Sequence, residues 1–201
     1  PGHSPGHVSV RIASAGEHAV ITGDLMHHPA QLARPDWSSP FDFDKARALA
    51  TRRDFIARYA DQPVLVFGHH PVWNPAEEPR HDTTFGIVPD DTEALAAVMA
   101  RRPSLVGYFA GHTHRNRVVV LPDAPGVPFV EVACVKDYPG SWAEYRVFDG
   151  MILQVHRRIS APAAVAWTER TRGMFGGTYP AYARGRLHER CFAIDTSAVA
   201  S

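Results

Sequence analysis

Two stretches decide how this chain is read: Val64-Leu65-Val66-Phe67-Gly68-His69-His70-Pro71 and Leu105-Val106-Gly107-Tyr108-Phe109-Ala110-Gly111-His112-Thr113-His114. Each is a short apolar run that breaks at a glycine into histidines. A continuous run of this length, without polar alternation, is the pattern of a central strand covered on both faces. Both strands then end in imidazoles, and α/β folds build their sites at the carboxyl ends of strands. Glycine ahead of the histidines is expected to allow close backbone approach with no Cβ in the way.

Working outward, the chain has twelve histidines in 201 residues, bunched at turns. Two more bunches are Pro1-Gly2-His3-Ser4-Pro5-Gly6-His7 and Gly23-Asp24-Leu25-Met26-His27-His28. Imidazole is the commonest metal ligand and the usual proton carrier near neutral pH. His112 and His114, two apart on an irregular turn, reach a common cavity from different heights. Three histidines and one carboxylate suffice for one divalent ion with an open position. Asp24 offers that carboxylate at the end of the apolar run 19–22. His27 and His28 read as outer groups orienting Asp24, and His7 as holding the shape of its turn. Arg115 and Asn116, beside the Gly-His-Thr-His turn, are expected to contact phosphate oxygens, Arg through its planar fork. His81, in a polar loop, is expected to reach a substrate phosphate. His18, His156 and His188 read as solvated or strand-face residues.

The bulk numbers narrow the class. A formal net charge of zero and a pI near 7.6 give no electrostatic reason to expect nucleic acid or a membrane surface as partner. A hydrophobic fraction of 45% is ample for a core. Cys134 and Cys191 are too few for a disulfide framework, and Cys134 reads as a buried thiol. No segment approaches the roughly 20 apolar residues of a membrane span, so a cytoplasmic protein is expected. Strands are predicted at 8–13, 19–22, 64–67, 105–110, 117–121, 128–135, 143–148 and 151–158. A turn is expected at Glu17-His18 and a hairpin around 122–126. Helices are predicted at 44–59, with Ala46, Leu49, Ala50, Phe55, Ile56 and Tyr59 as the buried stripe, at 94–102 with a basic last turn, and at 162–175. The stretches 29–43 and 74–89 read as loops, and the tail from Gly176 as turn-rich.

Val64 to Ile159 resembles the C-terminal half of a calcineurin-like metallophosphoesterase. The Gly-His-x-Pro turn of that family supplies one metal-binding imidazole and Gly-His-x-His two more, which implies His69, His112 and His114 as ligands. Val130 to Gly140, with His156 to Ile159, is similar to a bacterial branch of it. The front of the chain differs. Pro1 to His7, Ile21-Thr22-Gly23-Asp24 and the stretch from His27 to Asp44 resemble the metallo-β-lactamase superfamily, which implies His3 as a ligand, Asp24 as the metal-bridging carboxylate, and His70 or His69 as the closing histidine. The seam is placed at 62/63, giving a lactamase-like segment 1–62 and a phosphoesterase-like half 63–201 in one packed domain.

These resemblances imply an α/β (α+β) fold, a four-layer α/β/β/α sandwich with mixed sheets, incomplete at its N-terminus. The lactamase-like part lacks the His-x-His-x-Asp-His turn, and the phosphoesterase-like part lacks the Asp-x-His and Gly-Asn-His turns. The implied cofactor is one or two divalent ions (Mn, Fe or Zn). The implied activity is hydrolysis of a small phosphomonoester or phosphodiester by a metal-bound hydroxide, with His69, Asp24 and Asn116 as catalytic residues and weaker turnover than an intact site gives. Two other readings stand beside it: an acyl-bond hydrolase centred on His3 and Asp24, and a fusion remnant without catalysis. An unpaired sheet edge is expected to drive homo-oligomerisation.

Overall fold

The fold is that of a computed structural model, which describes residues 1–28, 30–59, 61–82 and 85–199. It is mixed α/β with several sheets, and it divides into two compact units, Pro1–Ala60 and Asp61–Ser201.

In the first unit, β1 (Val10–Ser14) and β2 (Glu17–Ile21) pair antiparallel, with Val10 opposite Ile21 and Ser14 opposite Glu17. The turn is Ala15-Gly16, at φ +52° and +90°, where two positive φ values match the right-handed twist of the strands. The sequence placed this turn two residues late, because alanine rarely takes a left-handed conformation and hid the signal. Glu17 and His18 already belong to β2. The stretch read as a loop from residue 29 contains a short helix, α1 (Ala30–Ala33); Pro29 lies outside the described residues.

Helix α2 (Lys45–Tyr59) starts where Asp44 accepts the Arg47 amide at 2.9 Å, as an N-cap carboxylate does. Its buried positions are Ala48 and Arg52, while Ala46 and Ala50 of the expected stripe are exposed and Leu49, Phe55, Ile56 and Tyr59 are half-buried. Two contacts turn the helix this way. The N-terminal segment lies against Ala48 so closely that a Cβ on Gly2 would stand 2.3 Å from the Ala48 amide nitrogen. Arg52, fully buried, donates to the Asp42 carboxylate at 3.0 Å, the Ser38 hydroxyl at 3.2 Å and the Pro35 carbonyl at 3.0 Å. An arginine occupying the core position defeats a reading based on apolar period.

The second unit holds a four-stranded mixed sheet, β3 (Val64–Phe67), β4 (Leu105–Ala110), β5 (Arg117–Val120) and β6 (Pro128–Glu131), in the order β3-β4-β6-β5. β3 runs parallel to β4 and β4 to β6, while β5 and β6 form the expected antiparallel hairpin. All six residues of β4 are buried, as a central strand requires. β3 is an edge strand, not a central one: it is only half-buried and Phe67 is exposed. A second, antiparallel sheet joins β7 (Ser141–Phe148), β8 (Met151–Arg158) and β9 (Phe192–Asp195). The two sheets share one apolar cluster, with Val106, Phe109 and Val130 from the first and Ile152 and Ile194 from the second.

Helix α3 (Pro89–Ala100) begins earlier than the sequence indicated, with proline in its first turn, and buries Leu95, Ala96 and Met99. Arg101 and Arg102 follow its last turn rather than filling it. Thr83 and Thr84, in the loop ahead of it, lie outside the described residues. The helix read at 162–175 is shorter: α4 (Pro162–Thr168) passes into a 3-10 turn at Glu169–Thr171, and Phe175 and Gly176 take positive φ that no helix continues through. The tail is more regular than expected, with α5 (Tyr179–Arg184) and α6 (Leu187–Arg190) before β9. Among the described residues no helix is long and apolar enough to cross a membrane.

The Arg52–Asp42 pair gives a stability prediction. Arg52→Met leaves a buried carboxylate without its partner and is expected to cost about 3–5 kcal/mol in urea unfolding, whereas Arg52→Met with Asp42→Leu recovers most of that loss.

Candidate metal centre

Parallel pairing of β3 with β4 brings the two histidine turns to one end of the sheet. Phe67 is opposite Phe109, the Gly68 amide donates to the Phe109 carbonyl at 2.9 Å, and the Gly111 amide donates to the His69 carbonyl at 3.1 Å. Past this ladder, the rings of His69, His70 and His112 converge. One ring nitrogen from each lies within 4.8 Å of the others, and Nδ1 of His112 is 3.0 Å from Nε2 of His69. Ring centroids stand 4.7 to 5.1 Å apart at steep angles. His69 and His70 are exposed and His112 is half-buried. Burial lowers the pKa of His112, and the neighbouring His70, His69 and His114 lower it further by charge repulsion, so its ring favours the neutral form that metals bind.

Two details show what positions these rings. A Cβ on Gly68 would fall 2.1 Å from the Tyr108 hydroxyl, which donates to the His70 carbonyl at 2.7 Å. Glycine is therefore required at 68 for close approach, whereas Gly111 has open space around it, and the expectation of a crowded backbone there is not met. Burial raises the Tyr108 pKa to about 12, keeping the hydroxyl a donor. In the second turn, His112 and His114 themselves carry positive φ, +65° and +57°. Thr113 between them donates to the Glu131 carboxylate, and its carbonyl accepts from the Tyr182 hydroxyl at 2.9 Å. Strained residues persist where their surroundings over-determine them, and they cluster at functional sites.

His114, expected beside His69 and His112, belongs to a different group. Its Nδ1 lies 2.7 Å from Oδ2 of Asp137, and His114, Cys134 and Asp137 place one ligating atom each within 4.8 Å. Burial alone would raise the Asp137 pKa; Lys136 at 2.7 Å, His114 and Cys134 outweigh it and bring it below the usual value. Cys134 is half-buried, and burial pushes its thiol up. Asp137 carried no signal in the sequence beyond its place before Tyr138-Pro139-Gly140.

Asn116 is buried and its amide is spent on the main chain, donating to the Ala183 carbonyl at 2.9 Å and accepting the Ala133 amide at 3.3 Å. It ties the strand after the histidine turn to α5 rather than facing a ligand. Arg115 donates to Glu131 at 3.0 Å and lies over the Tyr182 ring. Arg115, His81, Phe85 and Thr113 line one small cavity of about 50 Å³, and Phe85 also packs 5.0 Å from the His112 ring. A larger cavity of about 210 Å³, lined by Trp73, Thr92 and Leu121 among others, includes none of the histidines.

In the first unit, Nε2 of His3 lies 3.8 Å from Oδ2 of Asp24, and its Nδ1 lies 3.5 Å from Oδ1 of Asp42. His3, His27 and Asp42 place ligating atoms within 4.8 Å of one another. Asp42, between two phenylalanines in Phe-Asp-Phe-Asp, was not read as a site residue; an acidic residue alternating with aromatics was the available signal.

Compared with protein-family models, curated proteins and solved structures, the chain matches none.

The left-handed backbone at 112 gives a second prediction. In metal-free thermal melts, His112→Gly is expected to be about 1 kcal/mol more stable than His112→Ala, because only glycine takes this φ without a Cβ penalty.

Proposed function

We propose that the protein is a metal-dependent hydrolase, and that its most favoured reaction is hydrolysis of a small phosphomonoester or phosphodiester at the His69–His70–His112 cluster. One observation carries this reading: the ends of two adjacent parallel strands deliver three ring nitrogens to a space one ion would fill. Ligands bound to a tetrahedral ion at roughly 2.0–2.1 Å stand about 3.3 Å apart, close to the 3.0 Å between His112 and His69. Three imidazoles suit Zn or Fe better than Mn, which prefers oxygen donors, and the reading takes one or two such divalent ions per chain. Such an ion supplies Lewis acidity and an activated water.

The chain's own groups supply the rest. The Asp137 carboxylate accepts a hydrogen bond from Nδ1–H of His114, which fixes the orientation of that ring and leaves Nε2 as its other donor or acceptor. Arg115, half-buried beside the small cavity, contributes positive charge toward phosphate oxygens. His81 on the same cavity wall gives a further polar contact. Asn116 contributes by fixing the turn. The kinship proposed is with calcineurin-like metallophosphoesterases for residues 63–201, in a four-layer α/β/β/α sandwich whose inner layers are the two sheets sharing one core. Free Cys134 and Cys191 favour a reducing compartment, and we place the protein in the cytoplasm. Exposed Val8, Val10, Ile12 and Ile21 on and beside the β1–β2 hairpin favour self-association into homo-oligomers.

The test is turnover of nitrophenyl phosphate and its bis ester by protein loaded with Zn or Mn. His69→Ala and His112→Ala are each expected to lower the rate by at least about 100-fold, and removal of metal by a chelator to abolish it; full turnover by both variants sinks the reading. A second reading, acyl-bond hydrolysis in a lactamase-like first unit, is favoured by His3 between Asp24 and Asp42. It requires thioester or lactone hydrolysis that is lost in His3→Ala and kept in His114→Ala.

A further inference from the structure

The formal net charge of zero hides a local excess. From Arg157 to Arg190 the chain carries seven arginines against two glutamates. The fold of the second unit gathers three of these arginines around one ring. The guanidinium carbons of Arg158, Arg172 and Arg184 lie 5.9, 5.2 and 5.2 Å from the ring centroid of Tyr138, which is buried. They come from three places in the chain: the end of β8, the residue that closes the 3-10 turn, and the last residue of α5. Main-chain contacts fix the grouping, because the Tyr138 amide donates to the Thr171 hydroxyl at 2.8 Å and Nε of Arg158 donates to the Pro139 carbonyl at 2.6 Å. One carboxylate answers the three cations. Glu169 pairs with Arg158 at 3.1 Å and with Arg172 at 3.2 Å. Arg184 donates to the Tyr138 hydroxyl and has no carboxylate partner among the described residues. Shielding a tyrosine ring needs only the aliphatic stems of these side chains. It gives no reason to hold uncompensated like charges within about a Debye length of one another.

We propose that Arg158, Arg172 and Arg184 form a binding site for the dianionic phosphate group of a small soluble molecule. Charge and geometry agree on this ligand. Three guanidiniums and one carboxylate leave a positive excess that a phosphate dianion neutralises. Nη1 of Arg158, Nε and Nη2 of Arg172, and Nε and Nη1 of Arg184 make no hydrogen bond among the described residues, and all three side chains reach solvent. These free N–H groups are forked, planar donors of the kind that phosphate oxygens accept in pairs. Glu169 binds Arg158 through Oε1 and Arg172 through Oε2, so two of the forks are set in place before an anion arrives. The positive field extends past the cluster: burial lowers the pKa of His156, and the charges of Arg190 and Arg184 lower it further. This assignment rests on the arginines alone and is independent of the reading of His69, His70 and His112.

The experiment is isothermal titration of the full chain with inorganic phosphate at about pH 8, where phosphate is a dianion. A chelator is present, so that no ion at the histidine turns takes part. Wild type is expected to bind one phosphate per chain. Arg172→Gln and Arg184→Gln are each expected to weaken binding by about 10-fold, the loss of one charge-assisted bond. Arg172→Lys keeps the charge without the fork and is expected to recover only part of that loss. Arg170→Gln is the control: Arg170 lies over the Trp167 ring at 4.2 Å, and its removal is expected to leave the affinity unchanged. Arg172 is exposed, so its loss leaves the fold intact, whereas Arg184→Gln is checked for folding by circular dichroism. Wild type that binds no phosphate, or Arg172→Gln with unchanged affinity, overturns the proposal and leaves the arginines as a cover for Tyr138. Equal weakening by Arg170→Gln and Arg172→Gln also overturns it, in favour of a diffuse basic surface. Vesicles containing phosphatidic acid form a second arm, and wild type that binds them but not free phosphate sinks the assignment to a small soluble ligand.

Discussion

Everything at the candidate centre of the second unit depends on the parallel pairing of β3 with β4. Parallel strands present the same end of the chain at the same edge of a sheet, so whatever follows each strand meets whatever follows its neighbour. Here that is His69-His70 after one and His112 after the other, held in step by the Gly68 and Gly111 amides. Antiparallel pairing of the same two segments would have sent the histidines to opposite edges. The chemistry of the residues and the topology of the sheet are therefore one fact.

The sequence carried this much because both strands are short, wholly apolar and punctuated by glycine. It carried less where a polar residue does the work of an apolar one. Helix α2 presents Ala48 and Arg52 inward, and no periodicity of hydrophobic residues reveals a buried guanidinium. Edge and centre were also indistinguishable by composition. Val64 to Phe67 and Leu105 to Ala110 look alike, yet only the second is buried along its length, since order within a sheet is set by contacts remote in sequence.

Among site residues, those that announce themselves by motif were legible, and those that act through a neighbour were not. His69 and His112 meet as the spacing indicated. His114 is turned toward Asp137, whose role depends on a bend through Cys134 and Lys136 that has no one-dimensional signature. Asn116 shows the opposite failure: an amide beside a histidine motif invites a ligand, but the nearest demands on it came from two main-chain groups. Local sequence lists the groups available; competition among buried partners decides which remain free to react.

The β1–β2 hairpin has a consequence of its own. Every residue in it is exposed apart from a half-buried Val20, so its ladder is held by main-chain bonds and by a turn in which Ala15 bears a left-handed φ. Two strands alone are marginal in water. This is therefore where the native state opens first: amide protons of Val10 to Ile21 trade with solvent long before those of β4, and a protease finds its earliest foothold at Ala15-Gly16.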